Sequence, residues 1–207
     1  MGGGVLTFDL YAFLKTHWTE IAGVVLGLIQ IWLLVRRSIW NFPVAMVMVA
    51  LIGITLFEAK LYSECGLQAF FFVVNAIGWV QWNSVTDQAD TVPVAWMSKS
   101  SRAIWAVVTV VLSLSLGWLM HTLTNAALPF ADSAVTGASI AAQLLLNNRR
   151  IENWVLWVAI DVVSVALYLT RDLFFLAALY VAFLVISVIG LRQWTRASRA
   201  EITNGFA

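Results

Sequence analysis

Charge, cysteine and proline are all scarce in this chain of 207 residues. Asp, Glu, Lys and Arg make up 11% of it, where soluble domains carry about 25%. Twelve basic and eleven acidic side chains cannot coat a soluble globule of this size, which excludes a cytosolic enzyme. The lone Cys65 cannot form an internal disulfide, so a secreted disulfide scaffold is excluded as well. A formal net charge of +1 offers no footprint for nucleic acid. The two histidines, His17 and His121, lack metal-ligand spacing. No GxxxxGK[ST] segment is present to hold ATP. Lys15, Lys60 and Lys99 fall outside the apolar segments, which removes a retinal Schiff base. No nucleophile–base pair stands in any span. No enzyme activity, catalytic residue, cofactor or metal is therefore expected. What the chain has instead is 61% hydrophobic residues, eleven tryptophans and a mean hydropathy of +0.87. These make it a polytopic membrane protein with the lipid bilayer as its first partner.

A membrane-crossing helix needs about 20 mostly apolar residues. Seven segments approach this: Trp18–Val35, Ile39–Phe57, Gly66–Trp82, Ala103–Met120, Ser133–Leu146, Asn153–Leu169 and Leu173–Leu191. The fifth is short and rich in small residues, and its start is expected earlier, near Asn125. None alternates with period two, so a β-barrel is excluded. The start of the chain lacks the basic n-region of a cleaved signal peptide. Leu6, Phe8, Leu10, Tyr11, Phe13, Leu14 and Trp18 fit a short amphipathic helix lying in the interface. With seven spans, nine basic residues share one side: Arg36, Arg37, Lys99, Arg102, Arg149, Arg150, Arg192, Arg196 and Arg199. Lys15, Lys60 and Arg171 are left for the other. The positive-inside bias then puts the N-terminus outside and the C-terminus in the cytoplasm.

Self-comparison shows a duplication. A shift of 112 lays Ile31–Trp82 on Gln143–Trp194 with 13 identities in 52 ungapped positions, among them Arg37/Arg149, Asn41/Asn153, Gly78/Gly190, Gln81/Gln193 and Trp82/Trp194. Apolar composition alone would not keep Arg, Asn, Gly, Gln and Trp in one register. Each repeat holds three spans, and the fourth span inverts the chain between them, so the repeats run parallel. The expected fold is all-α transmembrane, with seven helices as two parallel three-helix repeats joined by a linker helix (3+1+3) behind the short N-terminal helix. Its parts are an interfacial segment (1–17), a first repeat (18–82), a loop and linker helix (83–132), a second repeat (133–194) and a cytoplasmic tail (195–207). Transporters are built this way, with a mid-membrane site between repeats. Alternatively, the duplication records only how a seven-helix bundle arose.

An ionisable residue inside a bilayer costs roughly 2.5–3.5 kcal/mol at the centre on insertion scales. Asp161 lies mid-span. Trp154, Trp157, Asp161, Ser164 and Tyr168 are spaced 3, 4, 3 and 4, which sets them on one helix face. Two flat rings, a carboxylate and two hydroxyls suit a small planar polar ligand such as a nucleoside or vitamin. Gln143 and Asn147 stand at i, i+4 with Asn148 beside them, and Asn75, Trp79 and Trp82 share another face near Gly78. Amides offer both donors and acceptors, as a carboxamide requires. The same residues could instead be interfacial tryptophans and interhelical hydrogen bonds. Gly23 and Gly27 form a GxxxG that points to helix packing.

The run Asn75-Ala76-Ile77-Gly78-Trp79-Val80-Gln81-Trp82, followed by Gln143, Arg149, Glu152, Asn153, Trp154, Trp157 and Asp161, resembles PnuC, the bacterial nicotinamide riboside transporter family. The resemblance covers the chain from about Trp18 to Trp194. It implies a homotrimeric inner-membrane protein of SWEET-like fold, carrying nicotinamide riboside by facilitated diffusion, with a separate kinase trapping the riboside. It places the ligand against Asn75, Trp79, Gln143, Asn147, Asn148, Trp154, Trp157 and Asp161. The Pro-Gln dipeptides of the wider SWEET and PQ-loop group are missing, since Pro43, Pro93 and Pro129 precede Val, Val and Phe. Hinges therefore cannot be carried across. Relatives of the family include importers of thiamine and riboflavin. Nicotinamide riboside and thiamine are both cations that Asp161 could serve. A thiamine or other vitamin carrier thus stays open, as does a seven-span receptor engaging a partner through its Arg-rich face.

Overall fold

In the computed structural model, residues 10–58, 62–86, 92–124, 129–170 and 174–203 are described. They form seven helices: α1 (Leu10–Val35), α2 (Asn41–Glu58), α3 (Tyr62–Thr86), α4 (Lys99–Leu123), α5 (Pro129–Asn147), α6 (Glu152–Leu169) and α7 (Phe174–Thr203). No strand occurs among the described residues, and Ala95 and Arg150 make an isolated bridge. Each expected span falls on one helix. Five are long and apolar enough to cross a membrane: Asn41–Glu58, Cys65–Val85, Lys99–Leu123, Glu152–Leu169 and Ala177–Glu201. Ile21–Val35 is a shorter apolar stretch.

Several boundaries differ from expectation. Residues 1–9 of the expected interfacial segment lie outside the described ones, and 10–17 continue directly into α1. The expected tail is helical to Thr203, because Trp194 and Ser198 are buried one turn apart. Helix α5 opens on Pro129, which fits a first helical position where the missing N–H costs nothing. It falls short of the apolar threshold for a reason its neighbours supply. It packs on α3, α4 and α6 and buries Ser133, Gly137, Ala141 and Ala142. Small residues let helices approach closely where lipid cannot drive association. Helix α4 is the opposite case, packing on α5 alone with its apolar surface outward.

The remaining helices close a ring. Contacts run α1·α2·α3·α5·α6·α7 and back to α1. The turns that join α1 to α2 and α5 to α6 are alike to the atom. Arg37 and Arg149 both sit at φ 59°. Their N–H groups donate to Leu34 and Leu146 at 2.9 and 2.8 Å, and those of Ser38 and Arg150 donate to Leu33 and Leu145 at 3.0 and 2.9 Å. This is the helix-ending pattern usually built on glycine. Then the Asn41 and Asn153 side chains donate to the Ser38 and Arg150 carbonyls at 2.7 and 2.6 Å. All these pairs differ by 112.

The four segments rich in basic residues meet at one end. Beneath them lies a core of Leu34, Phe42, Trp82, Val92, Val94, Ile151, Trp154 and Trp194. Phe42 meets Trp82 edge-on at 5.1 Å, and Trp154 meets Trp194 the same way at 5.6 Å. Gly78 and Gly190 make room for these rings. A Cβ at Gly190 would lie 2.6 Å from the Trp154 ring, and one at Gly78 would strike Phe42 and Asn147. Gly190→Ala should therefore destabilise the protein by about 1–3 kcal/mol, read as a lower thermal midpoint in detergent. An unchanged midpoint would contradict the packing described.

Candidate functional site

The ring encloses a cavity of about 520 Å³ that all six of its helices line. That volume lies within the range of small-molecule sites, roughly 300–1,000 Å³. Its walls follow the duplication. Gly23, Gly27, Ile31 and Leu34 of α1 correspond by 112 to Val135, Ser139, Gln143 and Leu146 of α5. Ala45, Met48 and Val49 of α2 correspond to Trp157, Ile160 and Asp161 of α6, and Gln68, Phe71 and Asn75 of α3 to Tyr180, Phe183 and Ser187 of α7. The scaffold repeats but the chemistry does not. Where α1 and α2 place Gly27, Ile31, Ala45 and Val49, their counterparts place Ser139, Gln143, Trp157 and Asp161.

On one wall is a chain of amides. The Asn75 side chain donates to the Phe71 carbonyl at 2.8 Å, and its Oδ1 accepts from Gln143 Nε2 at 3.3 Å. Gln143 Nε2 also reaches Asn147 Oδ1 at 3.3 Å, and Asn147 Nδ2 donates to the Val74 carbonyl at 2.8 Å. These bonds stitch α3 to α5. They leave Gln143 Oε1 without a bond among the described residues, an acceptor beside the cavity.

On another wall Asp161, 3% exposed, accepts a 2.8 Å hydrogen bond from Ser187 Oγ. The lining holds no Lys, Arg or His among the described residues, so this carboxylate has no counter-cation there. Trp157 and Trp154 stand one and two turns earlier on α6, and Trp154 Nε1 is buried with no hydrogen-bond partner among the described residues. The arrangement can receive a flat ring bearing positive charge and a group that pairs with an amide.

Of the ten residues expected from sequence, Asn75, Gln143, Trp154, Trp157 and Asp161 line this cavity. The other five are placed elsewhere. Trp79 is 40% exposed on the outer side of α3. Asn147 is buried behind Gln143. Asn148 is exposed and donates to the Leu144 carbonyl. Ser164 is buried outside the lining. Tyr168 reaches the cavity only through Tyr180, ring centroids 5.2 Å apart. Helical spacing alone put these side chains on a shared face, and neighbouring helices then cover part of each face. Gln68, Tyr180 and Ser187 line the cavity in addition; the 112-residue register carries Asn75 onto Ser187, whereas Gln68 and Tyr180 correspond only to each other. Gly23 and Gly27 line the cavity as well as packing near Ile52 and Met48. No cluster that could hold a metal occurs among the described residues. Outside the helices, burial and then the neighbouring Arg150 lower the Arg149 guanidinium from its ordinary value.

A family model described as nicotinamide mononucleotide transporter matches residues 17–196. The nicotinamide riboside transporter PnuC of Escherichia coli (strain K12) is 30% identical over 207 residues, spanning 88% of this chain and 87% of that protein. The riboflavin/roseoflavin transporter RibM of Streptomyces davaonensis is 30% identical over 213 residues, spanning 95% of this chain and 94% of its own length. A crystal structure of the vitamin B3 transporter PnuC superposes with a TM-score of 0.74 at 23% identity, covering 92% of this chain and 86% of that one, a likeness of fold.

Replacing Gln143 by Leu leaves the Asn75 and Asn147 oxygens without their donor. The variant should melt lower, by the equivalent of about 1 kcal/mol, in a thermal-shift assay. A wild-type midpoint would mean the amide chain does not hold α3 to α5.

Proposed function

The chain belongs to the nicotinamide mononucleotide transporter family, the family of the PnuC riboside transporters, and from that premise we propose that its own cargo is nicotinamide riboside, carried by facilitated diffusion. It is a multi-pass membrane transporter of small vitamin-type molecules and not an enzyme. The receptor alternative falls with that membership.

The observation that carries the riboside reading is the uncompensated carboxylate. Asp161 faces a cavity without a cationic side chain among the described residues, and the riboside brings a pyridinium. Trp157 and Trp154 offer faces for the ring. Gln143 and Asn75 offer the donors and acceptors a carboxamide needs. The similarity to RibM favours a second reading, a flavin. A flavin ring is neutral, so it gives Asp161 no partner of opposite charge.

Two parallel three-helix halves, α1–α3 and α5–α7, joined by α4, would rock about the cavity and alternate its access. The ten pairs of lining residues at a separation of 112 support this arrangement, as do the matched turns at Arg37 and Arg149. Gathering of the basic segments at one end supports a bacterial inner-membrane orientation with the N-terminus periplasmic and the C-terminus cytoplasmic. A homotrimer and trapping of the riboside by a separate kinase follow from the family resemblance.

Calorimetry with nicotinamide riboside, nicotinamide, its mononucleotide, thiamine and riboflavin tests the cargo. The riboside should bind tightest, and Asp161→Asn should weaken it about 10- to 100-fold, as expected for a lost charged hydrogen bond, while sparing riboflavin. Tightest binding of riboflavin, or an unchanged riboside affinity in Asp161→Asn, would defeat the assignment. Uptake into liposomes should need neither a proton nor a sodium gradient. A strict gradient requirement would replace facilitated diffusion with coupled transport.

A further inference from the structure

Two indole hydrogen bonds cross between the halves of the ring at its basic end. Trp82 Nε1 on α3 donates to the Asn147 carbonyl closing α5 at 3.1 Å. Trp194 Nε1 on α7 donates to the Leu34 carbonyl near the end of α1 at 3.2 Å. The donors are 112 residues apart, both fully buried, and their rings lie 6.0 Å from each other. Their bonds fall on α3·α5 and α1·α7, the two seams where one half of the ring touches the other. At this end each seam carries one indole bond, and the α3·α5 seam is held in addition by the Gln143–Asn75 and Asn147–Val74 bonds.

The position of these bonds matters as much as their symmetry. Leu34, Leu146 and Trp154 form the cavity wall nearest the basic end, and all three belong to the core that Trp82 and Trp194 complete. Across this core runs the extended segment 92–98, with Val92 and Val94 buried in it. The segment is tied down from both sides. Arg37 donates to the Val92 carbonyl and pairs with Glu201, whose other oxygen accepts from the Val94 N–H. Ala95 exchanges hydrogen bonds with Arg149 and Ile151. An apolar side chain could occupy this core, so burial alone does not call for the nitrogen. A donor aimed across a seam does.

We propose that Trp82 and Trp194 are positioning residues of transport, a pair of latches that hold the basic end shut below the cavity under the 92–98 strap. Cargo leaves on that side when both indole bonds break and the strap lifts. The inference rests on the transporter reading. A neutral hydrogen bond suits a latch, since it biases a two-state equilibrium without freezing it.

The test uses the full chain with Cys65→Ser and a reporter, Ser139→Cys, on the cavity wall. Vesicles with the basic end outward are treated with a membrane-impermeant maleimide, without substrate. Trp82→Phe and Trp194→Phe should each speed labelling roughly fivefold, the weight of one hydrogen bond, and the double variant should speed it further. Glu201→Gln, which loosens the strap at the surface, should also speed labelling. A double variant that melts at the wild-type temperature and labels at the wild-type rate overturns the proposal. Should the tryptophan variants fail to fold, a wild-type rate in Glu201→Gln overturns it instead. Labelling needs no cargo, so failure of the riboside assignment in calorimetry leaves this outcome independent.

Discussion

A carboxylate with no counter-cation among the described residues of its cavity, held inside a bundle of apolar helices, is the constraint around which this molecule is arranged. Asp161 cannot face lipid, where its charge is costly, and it is too buried for bulk water to solvate freely. The ring resolves this by turning α6 inward, so that Ser187 of α7 supplies one hydrogen bond and the cavity supplies room for more. The requirement propagates outward. A hollow ring must be sealed by close helix contacts, and close contacts need small residues, hence Gly78 against Phe42 and Asn147 and Gly190 against Trp154, while Gly137 admits α4. Helix α5, which packs on three others, can then carry small and polar residues without loss.

The repeated scaffold and the unrepeated lining divide the labour. Backbone turns, aromatic packing and asparagine caps agree between residues 112 apart, because both copies solve the same folding problem. Within the lining, α5 and α6 place Ser139, Gln143 and Asp161 where α1 and α2 have apolar counterparts. A cargo that is itself lopsided, charged at one end and hydroxylated at the other, has a single favoured way to lie in such a cavity. The polarity of the site was produced by divergence within one chain and not by the fold.

Much of this could be read from the residues. Hydropathy placed seven helices because each must satisfy its backbone internally. The cost of Asp161 singled it out, and the spacing of Trp154 and Trp157 put them beside it. The expected positions that lie away from the cavity share one cause. Trp79 and Ser164 stand at correct helical offsets, yet which part of a face is covered depends on neighbouring helices that no single-helix pattern encodes. Asn147 was found for its amide but serves the seam, and Asn148 turns back on its own helix. Ser187 is the counterpart of Asn75 in the duplication, whereas Tyr180 and Gln68 are counterparts only of each other. The N-terminal residues 10–17 join α1 because helix continues wherever nothing stops it, and the sequence there holds neither proline nor a capping break.

The ring is not equally thick all round. Consecutive helices within each triplet pack extensively, whereas the seams α3·α5 and α1·α7 are its sparsest contacts. Cooperative units of unequal strength open in order of weakness. The sparse seams are expected to part under heat or harsh detergent before the contacts within α1–α3 and α5–α7. The cavity exists only while both seams hold, so it is lost when helix content is still close to native. A preparation of this protein with a full helical spectrum can therefore be empty of competent molecules, and helicity and competence have to be treated as separate quantities.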